Sequence, residues 1–153
     1  VGVVPTNAAL VQTPQTRLAA FRDTLASQGL ELRDDWVLGS DWTADAAARD
    51  ALTLLARDDR PTAIVAASDE IAFGIQASAR RLGLTLPDDL SIIGVDNHVL
   101  SNVLGLTTIS QDVTAQGRAA AEMLLTIIEG RQPEQDRVLI PTELIIREST
   151  TRH

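Results

Sequence analysis

The sequence predicts an α/β fold, a parallel sheet flanked by helices on both faces. Three observations carry that expectation. Apolar runs such as "TAIVAA" and "SIIGV" are continuous rather than alternating, as in strands covered on both sides. Between them lie stretches whose apolar residues recur at helical spacing. The 153 residues suffice for one domain with a real core.

The elements follow in order. Val1 to Val4 is β-branched and stops at Pro5, a strand. "PQTRLAAFRDTLASQG" spaces Leu18, Phe21 and Leu25 as a helix does, and Gly29 ends it. "DWVLGS" predicts a short strand over 36–38. "TADAAARDALTLLAR" is a helix with Thr43 at its cap. "TAIVAA" is a strand, and "SDEIAFGIQASARRLG" a helix capped by Ser68 or Asp69 and stopped at Gly83. "LTLPDDL" is a turn, "SIIGV" a strand, and 96–106 a loop. "TTIS" is strand-like. Residues 113–129 form a helix closed by Gly130, and "RVLIPTELIIRE" holds two extended pieces broken at Pro141. On the long helix Val113, Gly117, Ala120, Leu124 and Ile128 share one face, an apolar stripe that needs a cover.

Composition excludes several classes. Hydrophobic residues are 44% and charged residues 22%, an ordinary globular balance. There is no apolar run near the length of a membrane span, and no signal peptide is visible. The chain opens directly on a strand, as a piece of a longer protein would. Without cysteine, no disulfide, thiolate metal site or cysteine nucleophile can form, which fits a reducing cytoplasm. A net charge of −8 opposes contact with phosphate backbones. Two histidines cannot build a multi-histidine metal centre, and no G-x-S-x-G, G-x-G-x-x-G or G-x-x-x-x-G-K-[ST] pattern occurs. No catalytic residue, metal or cofactor is therefore expected.

Ligands of open parallel sheets bind beyond the carboxyl ends of the strands. That edge should collect Thr6, Asn7, Asp41, Trp42, Ser68, Asp69, Asp96, Asn97, Gln111 and Asp112, with Arg17 at the start of the first helix. A carboxylate accepts from two hydroxyls, a guanidinium donates to two oxygens, and an indole covers an apolar C–H face. Such a set suits a neutral polyol. Each residue also has a plainer reading. Ser68 and Asp69 can simply cap a helix, and Asp96-Asn97 can be a turn pair. Arg17 can be a solvated charge and Trp42 a packing residue.

The same segments resemble a known family. "RPTAIVAASDEIAFGIQASARRLGLTLPDDLSIIGVDN", "LTTISQD", "IPTELIIREST" and "TRLAAF" together are similar to the ordered signatures of LacI/GalR transcriptional repressors, in their effector-binding core. That resemblance implies a periplasmic-binding-protein-like type I lobe in a bilobed, usually dimeric core. A sugar or related effector binds between the lobes, and operator DNA is bound by an N-terminal headpiece. On this reading the headpiece and most of the N-terminal lobe lie outside these residues. Residues 1–111 are the C-terminal lobe, 112–135 hold a helix that crosses to the other lobe, and 136–153 are the return strand and tail. The resemblance assigns ligand contacts to Arg17, Trp42, Ser68, Asp96 and Gln111. It puts the helix of Phe73 in a homodimer interface, with Phe73 an exposed anchor. Ser68 stands where many members have Asn, and Gly105 where many have Pro. The implied protein is a cytoplasmic repressor, neither an enzyme nor a membrane protein. A transporter's sugar-binding protein shares the fold and is the alternative.

Overall fold

The computed structural model describes residues 2–4, 12–39, 41 and 43–151. Five strands form one sheet: β1 (Gly2–Val4), β2 (Ala63–Ala66), β3 (Ser91–Val95), β4 (Thr107–Ser110) and β5 (Glu143–Ile145). They lie side by side in chain order. The first four are parallel, and β5 runs antiparallel to β4. The sheet is parallel as expected except at that edge. The chain reaches β5 from the opposite end, so it pairs Leu144 with Ile109 in reverse.

Helices α1 (Gln12–Ser27), α2 (Ala44–Leu55) and α3 (Asp69–Arg81) follow the predicted stretches. The core lies between α2, α3 and one face of the sheet. Ala47, Ala51, Leu55, Ile71, Ile75 and Ala79 meet Ile64, Ala66, Ile92 and Leu106 there. Gly74 lets α3 approach α2, because a Cβ there would strike the Ala44 carbonyl. Opposite, α1 presents Leu18 and Phe21 across a cavity to Val65 and Ile109, so helices flank both faces.

Three predicted details differ. Residues 36–38 make no strand beyond a single bridge at Val37, and Asp34–Trp36 form a 3-10 turn instead. The predicted loop after β3 contains a short helix, α4 (Val99–Val103). Of the two extended pieces after residue 136, only Glu143–Ile145 becomes a strand. The long helix, α5 (Val113–Ile128), forms as predicted, capped by Asp112, whose side chain accepts from the Ala115 N–H at 3.0 Å. None of its residues is buried, and Val113 and Ile128 are each 69% exposed. The predicted stripe is real in pattern, yet no described element of this chain covers it. Among the described residues no helix is long and apolar enough to cross a membrane.

Candidate functional site

Sequential parallel strands put the carboxyl ends of β1 to β4 on one edge. Ala67, Asp96 and Gln111 follow β2, β3 and β4 there, and the first turns of α1 pass above them. Arg17 spans the gap. Its Nη1 donates to the Ala67 carbonyl at 3.1 Å and its Nη2 to Gln111 Oε1 at 3.4 Å. Gln111 Nε2 in turn donates to Asp96 Oδ1 at 2.6 Å. A guanidinium, an amide and a carboxylate thus form one string along the edge. This string unites three of the predicted ligand residues.

Ser68 is a different case. It is 5% exposed, and its Oγ accepts the Ile71 N–H at 3.3 Å, so it is the N-cap of α3. The helix-capping reading of Ser68 is the one its geometry satisfies, although a capping hydroxyl keeps its own proton to donate. Thr6, Asn7 and Trp42 lie outside the described residues. Asp112 is committed to capping α5.

The exit from β3 is strained. Asp96 has φ 115° and Asn97 φ 54°, a region that L side chains disfavour. Such conformations persist only where surroundings impose them, and they cluster at binding sites. Three consecutive amides are each tied down. The Asp96 N–H donates to the Ile109 carbonyl at 2.9 Å, and that of Asn97 to Thr108 Oγ1 at 3.2 Å. The His98 N–H donates to Asp69 Oδ2 at 2.7 Å. Arg147 adds a fourth tie, from Nη2 to Asn97 Oδ1 at 2.9 Å. The turn reading and the ligand reading of Asp96-Asn97 are therefore compatible: the turn carries the carboxylate off the strand to the open edge.

Asp96 is exposed at the edge, yet partial desolvation raises its carboxyl above the ordinary value, and the Gln111 hydrogen bond pulls it back in part. Asp69 raises it further, while Arg17 and His98 lower it. A carboxylate short of hydrogen-bond donors suits a ligand that brings hydroxyl protons. Behind Arg17 and Gln111 lies a cavity of about 430 Å³ walled by Leu18, Phe21, Val65, Val95 and Ile109. Its apolar walls leave hydroxyl recognition to the rim.

Phe73 is not the exposed anchor the resemblance implies. It is half-buried against the core and meets His98 edge-on, with ring centroids 5.7 Å apart. Val99 and Val103 of α4, next to His98 in sequence, are 78% and 76% exposed. Sequence reasoning left Thr108 and Arg147 without a role. Arg147 sits inside "ELIIREST", a quoted signature whose arginine was the available signal. Among the described residues, no group of acidic, histidine or cysteine side chains is arranged to hold a metal.

Comparison with known proteins agrees with this architecture. Residues 1–150 match the family described as periplasmic binding protein-like domain. The HTH-type transcriptional repressor PurR of Vibrio campbellii is 33% identical over 140 residues, covering 90% of this chain and 42% of that protein. A crystal structure of a LacI-family regulatory protein from Chloroflexus aggregans superposes with a TM-score of 0.89 at 31% identity, over 99% of this chain and 55% of that one. The transcriptional regulator CelR in complex with cellobiose gives 0.86 at 27% identity, over 97% and 46%. The chain thus spans less than half of the repressor and about half of the two structures. These relatives are regulators, not enzymes. The chain belongs to the LacI/GalR family, as part of its periplasmic-binding-protein-like effector-binding core.

Proposed function

We propose that this chain is the effector-sensing half of a cytoplasmic, DNA-binding transcriptional repressor, and that its effector is a sugar or related neutral polyol. One observation carries the reading: the Arg17–Gln111–Asp96 string at the carboxyl edge of four parallel strands. Asp96 accepts two adjacent hydroxyls, Arg17 donates to ring or hydroxyl oxygens, and Gln111 aligns both. Trp42 stacks on the sugar's apolar face, and Ser68 adds a hydroxyl at the α3 cap. The cellobiose held by one structural relative supports the sugar class.

In this proposal residues 1–111 are the C-terminal lobe, 112–135 cross to an N-terminal lobe, and 136–153 return. The uncovered face of α5 supports that division, because its leucines and isoleucines need a partner surface. The protein works as a homodimer, with Phe73 and α3 beside the contact. Effector shifts the lobe arrangement by its differential affinity for the two states, and operator affinity shifts with it.

The test is a sugar panel, cellobiose included, screened by thermal shift on the full-length protein. A ligand at a hundredfold excess over its Kd stabilises by about 2.7 kcal/mol. Asp96→Ala and Arg17→Ala should each weaken the best ligand by about 1–3 kcal/mol. Unchanged affinity by calorimetry in both variants would refute the site.

A further inference from the structure

Beneath the string lies a carboxylate that never reaches the cleft. Asp69 opens α3 and is 1% exposed. Its Oδ2 accepts the His98 N–H at 2.7 Å and the Ser101 hydroxyl at 2.6 Å. Its Oδ1 accepts the Thr108 hydroxyl at 2.5 Å. None of these donors is a cation. The Thr108 oxygen, oriented by that bond, takes the Asn97 N–H. Two of the three amides that hold the strained exit are thus governed by Asp69, one directly and one through Thr108. Space is cleared for it: a Cβ on Gly94, in β3, would strike Asp69 Oδ1. An ionised carboxylate only accepts hydrogen bonds, which is what three converging donors need.

We propose that Asp69 is a positioning residue of the effector site, whose buried carboxylate holds the Asp96–Asn97 exit in the geometry that aims Asp96 at Gln111 and the open edge. Asp69→Asn replaces one acceptor with an amide donor, which either faces the His98 N–H and Ser101 hydroxyl or makes the Thr108 hydroxyl turn to accept, reorienting the oxygen that takes the Asn97 N–H. The exit then relaxes, and Asp96 leaves Gln111. This inference rests on the reading of Asp96 as the effector's anchor, but its test needs no effector, so the two fail separately.

Asp96 is faced by Asp69 from α3, Arg17 from α1, His98 from its own turn, and the neutral Gln111. Loss of the Asp69 charge alone must lower the Asp96 pKa. Loss of the Gln111 bond acts in the opposite direction, while release of Asp96 from its desolvated position lowers it, so the Asp96 pKa alone does not decide. The Gln111 side-chain amide separates positioning from a mere field effect, because loss of charge alone leaves the Gln111–Asp96 bond in place. Asp96 is titrated by carboxyl ¹³C NMR in the full-length protein, its Asp69→Asn variant and its Thr108→Val variant. The Gln111 side-chain amide resonance is followed in each. The expected result is movement of the Gln111 resonance toward that of a free amide in Asp69→Asn, and a smaller movement in Thr108→Val. A Gln111 resonance unmoved in Asp69→Asn, whatever the Asp96 titration does, would overturn the proposal. Should Asp69→Asn not fold, the charge-neutral pair Ser101→Ala and Thr108→Val decides, and an unmoved Gln111 resonance in both folded variants overturns it.

Discussion

Asp96 carries opposing demands. Partial desolvation holds its carboxyl above the ordinary value although the residue is exposed at the edge, so ionising it weakens the fold by a solvent-screened amount. The sign follows from linkage: with the folded value above the unfolded one of about 3.9, stability is fully present below that value. It is lost as pH rises through the folded value. Asp96→Asn should therefore melt above the parent at pH 7.5. The margin should shrink toward pH 3.5, where both side chains are neutral. Asparagine also tolerates the positive φ of 115° at least as well, an effect of the same sign that does not vary with pH. Thermal melts at the two pH values check this, and a variant that melts lower at pH 7.5 contradicts it. Effector binding should fall in the same variant, the familiar exchange of stability for function. Asp96 itself was legible in the sequence because a carboxylate ends a core strand. Its supports were not: Thr108 and Arg147 lie 12 and 51 positions further on, and nothing local marks a partner at that separation.

Helix ends were legible wherever the signal is local. Thr43 and Ser68 accept the Ala46 and Ile71 amides, and Gly83 at φ 73° follows α3. Ser68→Ala should cost about 1 kcal/mol in denaturant unfolding, the usual worth of a cap. No change would mean that another group satisfies the Ile71 amide. Residues 36–38 misled because their β-branched and aromatic content competes with a stronger local arrangement. Arg33, Asp35, Arg57 and Asp59 link the 3-10 turn to the end of α2 through exposed ion pairs, and Arg33 stacks on Trp36 at 4.7 Å. The Arg33 hydrogen bond holds the Asp35 carboxyl well below the usual range, and Arg57 lowers Asp59 likewise. With folded values depressed, their stabilisation is present at neutral pH and lost on acidification below about 4. Arg57→Ala should lower the melting temperature at low salt and lose most of that effect at 1 M salt, where the Debye length is about 3 Å. An equal loss at both salt levels would point to packing instead. Helix α4, at five residues, is too short to leave a periodic trace in the sequence.

At the scale of the whole molecule, charge and shape make separate statements. A net charge of −8 predicts that residues 1–153 alone do not bind operator DNA, and a salt-sensitive, operator-specific gel shift by them would contradict it. The apolar face of α5 predicts that Leu124→Ser with Ile128→Ser reduces self-association of this isolated chain in sedimentation. The same pair should destabilise the full-length protein, since each fully buried Leu or Ile is worth about 1.5–3 kcal/mol. The alternation of strands and helices gave away the layered architecture. The reversed β5 did not show, because an apolar run carries no mark of its direction. One consequence concerns synthesis. Ser149 Oγ donates to the Ile92 carbonyl 57 positions earlier and accepts the Thr107 N–H, while the Ile92 N–H donates to the Ser149 carbonyl. Strands β3 and β4 are stitched at their amino ends by residues that a ribosome adds among the last of this segment. At about 5–20 residues per second, a nascent chain waits roughly 3–12 s between Ile92 and its partner. Throughout that interval the amino ends of β3 and β4 lack this stitch, so synthesis order makes their joining there a late event for this segment.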